Sequence, residues 1–344
     1  MSMRTIAQMT GLSVTTVSHA LNGTRAVSKR SMDLINEAAA KINYRPNLAA
    51  QMMKTQRSRT VALIIPETVQ NNSTNCFFFD VMNGAKSRLE ESSYELIVSI
   101  YPESNAKDYF SKMSILRRRW VDGILLVPPT MHKEDIEFIK NCDVPVVLID
   151  RWVEGESLPL VASNNREISA SAVRELYHSG CRKIAFIGAS FRNSTAVERY
   201  QGYVDALQSV NLSINDNLIQ LLDLHDIDSS MNATESVLKE GADAIFVANS
   251  MLCLGAIKQL QLRGLKMPED VAVIGFNNFE WAEITNPPFS SVVQKANHIG
   301  RTASEQLLKI LNGEELETQT IHISAELQLK QSHKRIKTSA AMDP

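Results

Sequence analysis

Val14, Thr15, Ser18 and His19 offer the chemistry needed to read base edges: an apolar surface, two hydroxyls and an imidazole. In a helix over 14–22, Val17 and Leu21 lie four apart and form the buried stripe. The other four side chains then fall on the outer face, near the N-terminal end. A recognition helix presents residues to the major groove in this way. A second set of polar residues stands just after apolar runs further along. Asp150-Arg151 follow VPVVLI, Asn249-Ser250 follow AIFVA, and Asn277-Asn278 follow VAVIGF; Arg199 opens RYQGYVDAL and Gln294 ends SSVVQ. Carboxylate, guanidinium and amide groups at strand ends can hold a small polar ligand by directional hydrogen bonds.

Three short helices would position the first set. Ser2 caps a helix over 3–10, with Ile6, Ala7 and Met9 looking inward. Gly11 supplies the tight turn, and Ser13 caps the second helix. Ser28 caps a third helix over 29–42, whose Leu34, Ile35, Ala38 and Ala39 close the core. Pro46 pushes Arg45 out of helical geometry and ends that helix. Asn47 can then cap a short helix over 48–56, too short to be stable alone in water. Residues 1–60 hold nine Lys/Arg against two acids, a surplus of seven positive charges. The whole chain carries −2, so the remainder carries −9. A basic module on an acidic body attracts phosphate locally.

The stretches TIAQMTGLSVTTVSHALNG and VSKRSMDLINEAAAKINYRPNLAAQMM closely resemble the lactose/galactose repressor (LacI/GalR) family. With the body, the resemblance covers roughly residues 2–333. It implies that Val14, Thr15 and His19 read bases, and that Ser13, Thr16, Asn22, Ser28, Tyr44 and Asn47 hold phosphates. The family usually has Arg where this chain has His19, so its operator is expected to differ from those of relatives. Met53 falls at the minor-groove wedge position, where Leu is commoner, on a hinge helix that forms when two copies meet on DNA.

From Val61 short apolar runs alternate with helices. Runs at 61–65, 95–100, 123–127 and 146–149 read as buried parallel strands, with helices at 77–91, 105–119 and 133–141. The rhythm restarts with strands at 183–187, 218–222, 244–247 and 271–275 and helices at 165–179, 196–210, 229–239 and 252–263. Two such rounds imply two similar α/β lobes joined by crossings at 160–163 and 290–294, with a helix over 297–311 returning to the first lobe. The expected fold is therefore a small all-α helix-turn-helix DNA-binding domain (1–46), then a hinge helix and linker (47–59). A periplasmic-binding-protein-like body of two doubly wound parallel-sheet subdomains follows (60–333). The first lobe would take about 60–161 and 293–320, the second about 162–292 and 321–333, leaving 334–344 as a disordered tail. The family pattern makes Arg199, Asn249 and Asn277 effector contacts, with Asp150, Arg151 and Gln294 as neighbours. Ser250 and Asn277 stand where sugar-binding members commonly carry Asp; Asn75 and Phe78 match a segment lining the first lobe. Losing two acids while keeping Arg199, Arg151 and Arg192 makes the cleft more positive and favours an anionic effector, a sugar acid or sugar phosphate, over a neutral sugar.

The same sequence argues against other classes. No run of 18 apolar residues and no secretory leader occur, so a cytoplasmic protein without membrane spans is expected. Cys76, Cys142, Cys181 and Cys253 have neither disulfide nor metal spacing. There is no GxSxG, no phosphate loop, no HExxH and no GxGxxG after a strand, which disfavours an enzyme. A transport-type binding protein would not carry the first 56 residues. The expectation is a dimeric, ligand-responsive transcription factor on a palindromic double-stranded DNA operator, with no cofactor or metal. Repressor is favoured over activator, and inducer against corepressor stays open.

Overall fold

Apolar spacing in the first 44 residues leaves room for one small core, and three helices supply it. The computed structural model describes residues 2–22, 25–44, 57–67, 76–117, 120–277 and 280–334. The expected hinge residues Asn47 and Met53, the cleft residue Asn75 and positions 335–344 lie outside these. Helices α1 (Met3–Thr10), α2 (Val14–Asn22) and α3 (Lys29–Lys41) pack through Ile6, Ala7, Val17, Ala20, Ile35 and Ala38. Gly11 takes the left-handed φ of 67° that ends α1. Ser2 holds its cap position without a side-chain bond to a helix amide; its Oγ lies 3.5 Å from the Thr5 hydroxyl instead. Met9 and Leu34 face outward, 48% and 41% exposed, while Ile6, Val17 and Ile35 with Met3, Leu12, Leu21 and Met32 fill the narrow three-helix core. This unit, residues 1–59, is compact in itself.

The body builds two six-stranded sheets. The first contains β1 (Thr60–Pro66), β2 (Glu95–Tyr101), β3 (Gly123–Leu126), β4 (Val146–Ile149), β5 (Leu160–Ser163) and β11 (Thr320–Ile323), in the order β2-β1-β3-β4-β5-β11. The second contains β6 (Ile184–Ala189), β7 (Ile219–Leu222), β8 (Ala244–Val247), β9 (Ala272–Phe276), β10 (Ser290–Val293) and β12 (Glu326–Gln328), in the order β7-β6-β8-β9-β10-β12. All pairings are parallel except β10 with β12. β11 completes the first sheet, so residues 321–323 belong there and not in the second lobe. β2 and β7 are edge strands with a neighbour on one side only; β2 is largely open to solvent, against the expectation of a buried strand, and β7 is half-buried.

Helices cover both faces. α4 (Cys76–Glu90) and α12 (Ala296–Leu311) pack on one face of the first sheet. On its other face lie α5 (Ala106–Lys112), α6 (Ser114–Arg117) and α7 (Glu137–Lys140). The helix expected over 105–119 is broken because Met113 turns extended (ψ 115°) to bury its side chain. The one expected over 133–141 breaks likewise at the fully buried Ile136. α8 (Asn165–His178) and α9 (Ser194–Ser209) cover one face of the second sheet, α10 (Ile227–Lys239) and α11 (Ser250–Leu262) the other.

A buried polar clasp ties residues 330–333 to the second sheet. Ser332 Oγ donates to Val273 O (2.7 Å) and accepts from the Ser290 amide (2.8 Å). Ser290 Oγ accepts from the Lys330 amide and lies 2.7 Å from His333 Nδ1. A neutral ring with its proton on Nε2, toward Glu175 at 3.5 Å, satisfies every partner. Burial, the largest influence, lowers the His333 pKa from its usual 6.5, opposed by Glu175. A lowered folded pKa means that the unfolded chain binds the proton more readily. The clasp's stability is therefore complete above pH 6.5 and is lost as pH falls below it. We expect the unfolding free energy of the native chain from urea titration to fall between pH 7.5 and 5.5, with at most about 1.4 kcal/mol per pH unit coming from His333. His333→Asn should show a smaller fall over that range; an equal fall in both chains would exclude the ring as the titrating group.

Candidate functional site

In the N-terminal unit the chain directs α2 outward through its own cap. Ser13 Oγ accepts from the Thr16 amide (3.0 Å) and lies 2.8 Å from the Thr16 hydroxyl. Val17 and Ala20 turn inward, while Val14 and Thr15 stay exposed on the first turn. His19, one turn on, is half-buried. Ser28 Oγ accepts from the Ser31 amide (3.2 Å), so its hydroxyl stands at an exposed helix N-terminus, where an anion is favoured. Tyr44 rests partly buried against the three-helix core. Asn22 ends α2, and its side chain lies outside the described structure.

In the body, Phe78, Asp150, Arg151, Arg199, Asn249, Ser250, Asn277 and Gln294 all line one cavity of about 280 Å³ between the lobes. The two sheets use the same device there. Asp150 follows β4 and Asn277 follows β9, the fourth strand along from the β2 edge and from the β7 edge respectively. Each donates its amide to the next strand, Asp150 to Val161 O (2.9 Å) and Asn277 to Val292 O (2.8 Å). Each adopts a left-handed backbone, with φ 68° and 80°, which costs a non-glycine residue about 1 kcal/mol or more. Each also presents a buried side-chain oxygen, Oδ1, without a protein partner. Burial raises the Asp150 pKa, against the pull of Arg151 and Arg199.

The arginines differ in what they have free. Arg151 gives Nη1 to Glu103 Oε1 (2.7 Å) and to the Pro128 carbonyl (3.0 Å), while its Nε has no hydrogen-bond partner and lies 3.8 Å from Asp150 Oδ2. Arg199 gives Nε to Asn165 Oδ1 and Nη1 to the Ala248 carbonyl, each at 3.0 Å. Its guanidinium sits 3.7 Å above the Phe276 ring, a cation–π contact. Burial pushes the Arg199 pKa down to about 10, despite the nearby Asp150 and Glu198 carboxylates. Asn249 Oδ1 caps α11 by accepting from the Met251 (2.9 Å) and Leu252 amides, so only its NH2 remains to donate. Gln294 gives its NH2 to Ser163 Oγ (2.8 Å), which leaves its carbonyl oxygen available.

The wall also contains residues that the sequence reading passed over: Glu67 after β1, Glu103 near the end of β2, Ser190 after β6, and Asp223, His225 and Asp226 after β7. The same strand-end rule, applied to every strand, finds most of them. They change the electrostatics. Glu67, Glu103, Asp150, Asp223 and Asp226 stand against Arg151, Arg192 and Arg199. Arg151 pairs with Glu103, and Arg192 lies 3.4 Å from Asp223. The cleft is therefore not the positive one that the loss of two strand-end acids suggested.

Residues 2–47 match the family model for bacterial regulatory proteins of the lacI family, and residues 173–333 match a periplasmic binding protein-like domain. The HTH-type transcriptional repressor PurR of Vibrio atlanticus (strain LGP32) is 29% identical over 333 residues, covering 95% of this chain and 96% of that protein. The chain belongs to the LacI family. Its structure is similar to that of the transcriptional regulator CelR in complex with cellobiose (TM-score 0.71, 26% identity, 96% of this chain and 99% of that one). It shares its fold with the lac repressor dimer bound to operator and the anti-inducer ONPF (TM-score 0.81, 20% identity, 98% and 99% coverage). As a LacI-family regulator it is a ligand-responsive, DNA-binding transcriptional repressor; the family binds operator DNA as dimers and takes small-molecule effectors. Among the described residues no helix is long and apolar enough to cross a membrane, and no cluster of His, Cys, Asp or Glu could hold a metal ion.

Proposed function

We propose that this LacI-family repressor reads its operator through Val14, Thr15 and His19 and answers to a small, uncharged, hydroxyl-rich effector in the cleft. Ser13, Thr16, Asn22, Ser28, Tyr44 and Asn47 hold phosphates, and Met53 wedges the minor groove. The protein acts in the cytoplasm, without cofactor or catalysis. One observation carries the effector class: among the residues lining the cleft, two buried acceptors, Asp150 Oδ1 and Asn277 Oδ1, and one buried donor, Arg151 Nε, have no protein hydrogen-bond partner. Hydroxyl groups satisfy both kinds at once, whereas a carboxylate or phosphate brings only acceptors and adds charge to an acid-rich wall. The cavity volume, at the small end of the roughly 300–1,000 Å³ typical of ligand sites, suits one sugar ring. The CelR–cellobiose complex supports a carbohydrate.

The test is retention of sheared genomic DNA on the immobilised full-length protein at physiological salt, with neutral hexoses or aldonic acids added. A few palindromic sites should be enriched, and a neutral sugar should change their retention more than its acid does. A stronger effect of the acids would overturn the effector class, and no enrichment would overturn the operator reading. Within the enriched site, His19→Ala should cost about 1–3 kcal/mol and relax preference at one base pair of each half-site. A uniform loss across all sequences would instead make His19 a phosphate contact.

A further inference from the structure

The lobes are also joined by direct bonds from Trp152, Ser194 and Glu198, none of which lines the cavity. The loop after β4, in the first lobe, runs Asp150-Arg151-Trp152, and the first turns of α9, in the second lobe, run from Ser194 to Glu198-Arg199. Trp152 donates its backbone amide to Ser194 Oγ (2.9 Å) and its indole Nε1–H to Glu198 Oε1 (2.7 Å). Ser194 is 1% exposed, so the first bond lies in a closed seam. The Met131 amide of the first lobe reaches the Arg192 carbonyl of the second at 3.3 Å. Each latch residue is the chain neighbour of a cleft residue, Trp152 of Arg151 and Glu198 of Arg199. Arg199 is tied on to Asn165, whose NH2 donates to the Ser163 carbonyl on crossing strand β5. Ser163 Oγ in turn accepts from Gln294, which follows the other crossing strand.

We infer that Trp152 and Glu198 form an inter-lobe latch that holds the cleft closed and positions Arg199 from the adjacent residue. The indole N–H of one lobe is held by a carboxylate of the other, a charge-assisted bond worth more than a neutral one. Opening the lobes must break it while breaking nothing in either lobe's own core. The latch therefore sets how much closure an effector has left to supply. Its part in effector response rests on the cleft reading above, whereas the latch itself does not.

The experiment uses the full chain carrying W120F and W281F, which leaves Trp152 as the sole tryptophan, with neither DNA nor small molecule present. Glu198→Ala should raise the open fraction about tenfold, as loss of a hydrogen bond to a charged group does. The readouts are greater iodide quenching of Trp152 and a larger radius of gyration by X-ray scattering, at unchanged far-UV circular dichroism. Glu198→Gln, which keeps an acceptor, should fall between Ala and the parent. Quenching and radius equal to the parent's in Glu198→Ala would overturn the latch. Should that variant fail to fold, Trp152→Phe keeps an aromatic ring but removes the N–H together with the pyrrole half of the indole, and scattering alone decides. Expansion supports the latch, and an unchanged radius overturns it. Because no effector is present, failure here is distinct from failure of the proposed ligand class.

Discussion

Arg199→Ala is expected to weaken effector binding at least about thirtyfold while leaving effector-free operator affinity within about twofold. Arg199 is a buried cation held by Asn165, the Ala248 carbonyl and the Phe276 face, and it lines the cavity. Truncating such a group removes ligand contacts and also leaves Arg151 as the one arginine compensating the buried Asp150. Losses of about 2–5 kcal/mol are typical, equivalent to between thirty- and several-thousandfold in affinity. Arg199→Lys should recover little, because an ammonium cannot keep two directed bonds and stack flat on the ring. The measurement is calorimetric titration with whichever neutral sugar alters operator retention. Unchanged affinity would move the effector elsewhere.

The second large effect concerns packing. Gly84 of α4 and Gly300 of α12 let the two helix backbones touch. A Cβ on Gly84 would stand 1.9 Å from the Asn297 carbonyl oxygen, and one on Gly300 would stand 2.0 Å from that of Val81. Both obstacles are backbone, so neither can rotate away. Gly84→Ala and Gly300→Ala should each destabilise the body by about 3 kcal/mol or more, the severe end of overpacking. For a body of this size that lowers the melting temperature by about 6–12 °C. Changes under about 2 °C would show that the helices can slide apart cheaply. Each variant should leave the N-terminal unit folded, since residues 1–59 pack as a unit of their own.

These predictions separate what local sequence can show from what it cannot. The N-terminal helices were legible because a helix is specified by neighbours: Gly11 and the Ser13 and Ser28 caps act within four residues of themselves. Which apolar residues fill a core of three helices was less legible, because Met9 and Leu34 share the periodicity of Ile6 and Ile35 yet find no space. In the body, the fully buried strands were legible as continuous apolar runs. The edges were not, since Glu95–Tyr101 reads as apolar as its neighbours until the sheet order leaves it at the rim.

The cleft divides in the same way. Residue types at strand ends are a property of the chain, and every expected cleft residue that the structure describes lines the one cavity. Their electrostatic meaning is a property of the assembled fold. Arg151 looked like a free cation in the sequence, and Glu103, 48 residues away, takes its charge. Asn249 looked like a two-way hydrogen-bonding amide, and the first turn of its own helix takes its oxygen. The sequence by itself determined the architecture, because periodicity, caps and breakers act over a turn or a strand. Which polar atoms remain unpartnered in the cleft, and so the charge and chemistry of the effector, was decided only by the tertiary structure. A hydrogen bond depends on distances of a few tenths of an ångström between residues that the chain places dozens of positions apart.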